Sequence, residues 1–128
     1  MPKFEVRLYN PYPTKHPVGK LVRDGKVLPD DFFDEIKKDN NLEPELGELF
    51  AHVKTIANGY RLPKNAFRIL DLGKLKYTVY EVKSSHLRLY LFQDKAHIIV
   101  IGGKKGDQED DLEKLKSIIK EYTQVNTK

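Results

Sequence analysis

The sequence predicts an α+β fold, in which an N-terminal strand and a C-terminal three-stranded meander form an antiparallel sheet packed on helices. Three observations lead there. Residues 77–83, 86–92 and 97–101 are rich in Val, Ile, Leu and Tyr, the side chains that suit a pleated surface. The breaks between them, Ser84-Ser85 and Gln93-Asp94-Lys95-Ala96, are long enough only for hairpins. Apolar residues recur at helical spacing upstream of these runs, behind Pro29 and Pro44, and downstream of them behind Asp107.

Taken in order, residues 4–9 alternate Phe4, Val6 and Leu8 with Glu5, Arg7 and Tyr9, the pattern of a half-buried strand. This strand is expected at an edge of the meander. Pro11, Pro13 and Pro17 forbid regular structure through a loop that carries His16. Asp24-Gly25 sits between Leu21-Val22-Arg23 and Lys26-Val27-Leu28, a strong hairpin signal, so residues 10–28 read as an inserted loop with a small projecting hairpin. Pro29 opens a helix with Phe32, Phe33 and Ile36 as its stripe, ended by Asn40-Asn41. Pro44 opens a second, carrying Leu46, Leu49, Phe50, Val53, Ile56 and Ala57, with Asn58-Gly59 as a left-handed cap. Phe67, Ile69, Leu70 and Leu72 are expected against the core.

A two-residue Ser84-Ser85 loop would set Lys83 opposite His86, Val82 opposite Leu87, Glu81 opposite Arg88 and Val79 opposite Tyr90. An Asp94-Lys95 loop would set Leu91 opposite Ile98, Leu89 opposite Val100 and Arg88 opposite Ile101. Side chains alternate with period two. One face then carries Tyr80, Val82, Leu87, Leu89, Leu91, Ile98 and Val100 and lies on the helices. The other carries Tyr77, Glu81, Lys83, Arg88, Tyr90 and Phe92, joined at its far end by His97, and is the expected functional face. Gly102-Gly103 and Gly106 bracket Lys104-Lys105 in a loop. Asp107 can then cap a last helix lined by Leu112, Leu115, Ile119 and Tyr122, with a loose tail at 123–128.

The 128 residues fit one domain, without repeats or linkers. With 33% charged residues and a mean hydropathy of −0.60, a soluble protein without a membrane span is expected. No apolar run follows Met1, so the cytoplasm is the expected location. The absence of cysteine excludes disulfides and thiolate metal sites. Net charge is +4, and Lys74, Lys76, Lys83, Arg88, Lys95, Lys104 and Lys105 outnumber Glu81 and Asp94 in the meander, a footprint for a polyanion.

The four histidines (His16, His52, His86 and His97) show no metal-ligand spacing, and no nucleotide-cradling glycine loop, nucleophile elbow or carboxylate pair is present. RNA, however, carries its own nucleophile. A protein acting on it need only position the 2′-hydroxyl, move protons and stabilise charge on the phosphate. Arg88 suits the last task, crowded lysines can carry protons, and Tyr77, Tyr90 and Phe92 can stack unpaired bases. Each has a plainer reading beside it. Glu81 and Arg88 can form a cross-strand ion pair, the aromatic rings can be core, and Lys104-Lys105 can be an ordinary solvated loop.

At these residues the chain resembles the RelE/HigB-type toxins of bacterial toxin–antitoxin modules, within the RelE/ParE superfamily. Tyr80-Glu81-Val82-Lys83 is similar to the family's tyrosine–glutamate–aliphatic–arginine strand. The run from His86 to Phe92 resembles its next strand, and Ile98 to Ile101 followed by Lys104-Lys105 resembles the third strand and its double lysine. The resemblance implies a RelE-like fold and a metal-independent endoribonuclease that needs no cofactor. Such an enzyme cleaves mRNA, often on the ribosome, and is restrained by an acidic antitoxin. Arg88 would contact the scissile phosphate, with Lys83, Lys104 and Lys105 beside it in the catalytic set. Lys74, Lys76, Tyr77 and Tyr90 would bind RNA. The reading from another class is a non-catalytic protein-binding module on the same scaffold, a gyrase-poison-like or inactive homologue.

Overall fold

The computed structural model describes residues 2–9 and 14–126. In chain order they form β1 (Phe4–Leu8), β2 (Val18–Arg23), β3 (Lys26–Val27), α1 (Asp30–Lys37), α2 (Glu43–Ala57), β4 (Phe67–Leu70), β5 (Thr78–Lys83), β6 (Leu87–Asp94), β7 (Ala96–Lys104) and α3 (Gln108–Asn126). The strands make one mixed seven-stranded sheet in the order β1-β2-β7-β6-β5-β4, with β3 also on β2. The α+β class is as expected. The sheet is not purely antiparallel, because β2 runs parallel to β7, pairing Val18 with His97 and Lys20 with Ile99. Among the described residues, no helix is long and apolar enough to cross a membrane.

The inserted hairpin has a larger role than expected. Asp24 and Gly25 take φ of 50° and 82°, the left-handed pair that a tight hairpin turn requires. Yet β2 does not project. Leu21 and Val22 are buried, and β2 separates β1 from the meander. The reason is its two apolar faces: Val18 joins the core under α1 and α2, while Leu21 joins the core under α3. A strand buried on both faces belongs inside a sheet, and β1, exposed along most of its length, takes the edge instead. Residues 10–13 of the insert lie outside the described residues.

Registers in the meander differ from expectation in two instructive ways. Between β5 and β6, Lys83 pairs with Arg88, Val82 with Leu89, Glu81 with Tyr90 and Val79 with Phe92. The turn is wider than two residues, closed by the Ser84 N–H donating to the Leu87 carbonyl at 3.0 Å. Relative to the expected pairing this is a two-residue slip, which keeps every side chain on its face. Between β6 and β7 the slip near the turn is one residue: Leu91 pairs with Ile99 and Phe92 with Ile98. Lys95, at φ 62°, is the apex between the paired Asp94 and Ala96. Ile98 and Val100 therefore lie on the α3 face, contrary to expectation, and Ile99 faces α1 and α2. A bulge at Tyr90/Leu91 resets the pairing, so that Leu89 meets Gly102 and Arg88 meets Gly103. Gly102 and Gly103 are thus strand, not loop, and a Cβ at Gly102 would strike the Phe32 ring of α1.

Helices cover both faces. Phe32, Phe33 and Ile36 of α1 and Leu46, Leu49 and Val53 of α2 pack with Val82, Leu87, Leu89 and Leu91. On the other side Leu115, Ile118, Ile119 and Tyr122 of α3 cover Val79, Tyr90, Phe92, Ile98 and Val100. Helices therefore lie on both faces, not mainly on the one expected. The stripe of α3 needs an apolar partner, and β6 supplies apolar or aromatic side chains to both faces. Helix α3 also continues to Asn126, past the expected start of a loose tail at Thr123, whose hydroxyl donates to the Ile119 carbonyl at 2.8 Å. The last two residues of that tail, 127–128, lie outside the described residues. Ile69, expected in the core, stands 63% exposed on the edge strand β4.

Candidate functional site

The expected functional face is largely interior. Tyr90 and Phe92 are fully buried beneath α3, and Glu81 beside them has no exposed surface. Arg88 is buried as well. Its Nη1 donates to the carbonyls of Ser84 and Leu87, both at 2.8 Å, so the guanidinium braces the β5–β6 turn from inside. The expected Glu81–Arg88 cross-strand pair is absent. Glu81 sits opposite Tyr90, and its cations are Arg68 at 3.2 Å and Lys83 at 3.9 Å. Gln108 of α3 donates to its other oxygen at 3.0 Å.

Around this cluster Arg88 Nε and Asp111 Oδ2 are buried without a hydrogen-bond partner among the described residues, while the Tyr90 hydroxyl lies against Glu81. Burial, with Glu81 and Asp111 close by, pushes the Tyr90 phenol above its ordinary pKa. Burial and the neighbouring Asp107 and Asp110 likewise raise the Asp111 carboxyl. Both shifts favour the neutral forms in an interior crowded with carboxylates.

Of the other residues singled out, Lys83 is adjacent to Arg88 on the same face, and its side chain is 22% exposed. Lys104 is on the opposite face, 3.5 Å from Glu35 of α1. Lys105 is exposed in the turn after β7, and its N–H donates to the His86 carbonyl at 2.8 Å. The two turns that carry Lys83, His86, Lys104 and Lys105 therefore touch. Glu45 of α2 fixes this end, accepting from the Ser84 hydroxyl, the His86 N–H at 2.8 Å and the His86 ring Nδ1 at 2.7 Å. Lys74 and Lys76 are exposed before β5, away from that end, with Lys76 Nζ 5.5 Å from the Tyr77 ring centre. Tyr77 is half-buried and packs on Phe92 and Tyr122.

A second constellation lies at the other end of the meander, and the sequence reading missed it. The His97 N–H donates to the Pro17 carbonyl at 2.9 Å, and the His16 N–H donates to the Ala57 carbonyl at 2.8 Å. These bonds tie His16 and Pro17 to the end of α2 and the start of β7, and bring the two imidazoles to 6.0 Å between ring centres. Both line a cleft of about 510 Å³ with Tyr80, Gln93, Arg61 and Phe67 among its walls. His97 is 5% exposed and its Nδ1 has no partner among the described residues. Burial and the neighbouring His16 hold its pKa below the usual imidazole value. The one-residue slip of β7 is what hid this site, since it moves His97 from the expected cationic face to the α2 face, against Tyr80.

No family model matches the chain, and neither a curated protein nor a solved structure matches it.

Proposed function

We propose that the chain is a metal-independent endoribonuclease of the RelE/HigB toxin type, acting on mRNA in the cytoplasm and restrained by an acidic protein partner. The observation that supports this reading is that the β5–β6 turn and the turn after β7 meet at one end of the sheet and bring Lys83 and Lys105 to it, with Lys104 next to them on the opposite face beside Glu35. Lysines gathered on touching turns offer point charges to a phosphate backbone, whose binding is dominated by such contacts. Arg88 contributes from beneath, holding the turn that presents Lys83. RNA supplies the nucleophile.

The purified chain is expected to cleave single-stranded RNA, and primer extension on cellular mRNA after induction is expected to show discrete stops. Replacing Lys83 and Lys105 together with Ala should weaken RNA binding and flatten its dependence on salt, by about 0.7 in logarithmic slope for each phosphate no longer neutralised. Intact RNA after incubation with the wild-type chain would overturn the reading. A second reading, protein binding without catalysis, draws on the outer strands. Val6 (36% exposed) and Leu8 (68%) on β1, and Ile69 (63%) on β4, present apolar side chains on strands that have an open edge. Growth arrest on expression with cellular RNA intact would select it.

A further inference from the structure

We propose that the phosphodiester reacts in the cleft between the His16 loop and β7, with His97 as the proton acceptor and His16 as the proton donor. The proposal rests on the nuclease reading and separates the chemistry from the lysine end of the sheet, which then holds the flanking backbone.

The step needs no co-reactant. His97 takes the proton of the 2′-hydroxyl, whose oxygen attacks the adjacent phosphorus. The 2′-O–P bond forms, the P–O5′ bond breaks, and His16 protonates the departing 5′-oxygen. The products are a 2′,3′-cyclic phosphate and a free 5′-hydroxyl, so atoms, electrons and protons balance. In-line displacement is served by a base and an acid within reach of one phosphoryl group, and the two imidazoles, 6.0 Å apart between centres at an interplanar angle of 74°, line one cleft side by side.

Three features of the cleft agree with these roles. His97 is buried with Nδ1 unpartnered among the described residues, an arrangement that costs stability and so asks for a reason other than packing. Its depressed pKa keeps the ring neutral near pH 7, the form a base needs. The Tyr80 hydroxyl donates to Gln93 Oε1 at 2.7 Å, which fixes the Gln93 amide with its N–H₂ group left to donate at the cleft wall. Arg61 adds a guanidinium to the same wall, the group suited to charge on phosphate oxygens. Tyr60, 71% exposed at the rim, offers a ring on which an unpaired base can stack.

The test compares the full-length wild-type chain, His16→Gln and His97→Gln on end-labelled single-stranded RNA. Melting temperature is measured in parallel, together with affinity for the same RNA carrying 2′-methoxy groups, which cannot react. Each variant is expected to lose about 10²–10⁴-fold in cleavage rate while keeping its affinity for the unreactive RNA, and the wild-type products should end in 2′,3′-cyclic phosphate. His16 is exposed, so His16→Gln decides the matter if His97→Gln fails to fold. Wild-type cleavage with an undiminished rate in folded His16→Gln would overturn this inference and leave the nuclease reading standing. No cleavage by the wild-type chain would overturn both.

Discussion

Leu89 and Arg88 are neighbours on one strand, and they show how differently single residues declare themselves. Leu89 has no exposed surface and packs in the cluster that holds Leu46, Leu49 and Val53 of α2. Its apolar character and its place in the alternation are enough to say so. Replacement by Ala should cost about 2–5 kcal/mol, as for other fully buried leucines, measured as a fall in the denaturant midpoint at constant slope. A loss below about 0.5 kcal/mol, the range of ordinary surface substitutions, would place Leu89 outside the core. Arg88 is the opposite case. Its residue type suggests a surface cation, but a turn wider than two residues brings two carbonyl oxygens within reach of its guanidinium, and α3 closes over the face. A side chain with five donors answers to whatever acceptors the fold supplies.

At the scale of the element, the β5–β6 turn is held by Glu45, a residue of α2 about forty positions upstream. Burial opposes the ionised carboxylate. The bonds from the Ser84 hydroxyl and from the His86 N–H and ring outweigh it, and the pKa falls below its usual 4.5. A carboxylate lowered on folding contributes stability above its unfolded pKa and loses it as pH falls through the folded value. Glu45→Gln should therefore destabilise by about 1–3 kcal/mol at pH 7. The gap to the wild type should narrow below pH 4.5, read by thermal melts across pH. A constant gap from pH 7 to pH 3 would show that charge is not what holds the turn. The same substitution should loosen the end of the sheet that presents Lys83 and Lys105.

The whole molecule is a mixed sheet between two helical layers, α1 and α2 on one face and α3 on the other. Removing everything after Gly106 would uncover Tyr90, Phe92, Ile98 and Val100 at once. Loss of that apolar cover should abolish cooperative unfolding and give aggregates on gel filtration, since a sheet with both faces apolar has no stable half-covered form. A truncated chain that melts cooperatively as a monomer would contradict the three-layer account of stability.

What the sequence determined by itself was whatever depends on a few neighbouring residues. Asp24-Gly25 dictates a hairpin, Pro29 and Pro44 open helices whose stripes are buried as spaced, and the valine- and leucine-rich runs make strands. Even the sorting of β5 and β6 into faces survived a mistaken register, because a slip of two residues preserves side-chain parity. The tertiary structure alone decided what depends on long-range competition for apolar surface. It placed β2 between β1 and β7 because only an interior position buries Val18 and Leu21 together. It covered the face with cations and rings because α3 had a stripe to bury. It moved His97 across the sheet through a one-residue turn at Lys95 and brought it to His16, about eighty positions away. Local chemistry specifies which elements form. Which face of each is left for a ligand follows only when every apolar surface has found its partner.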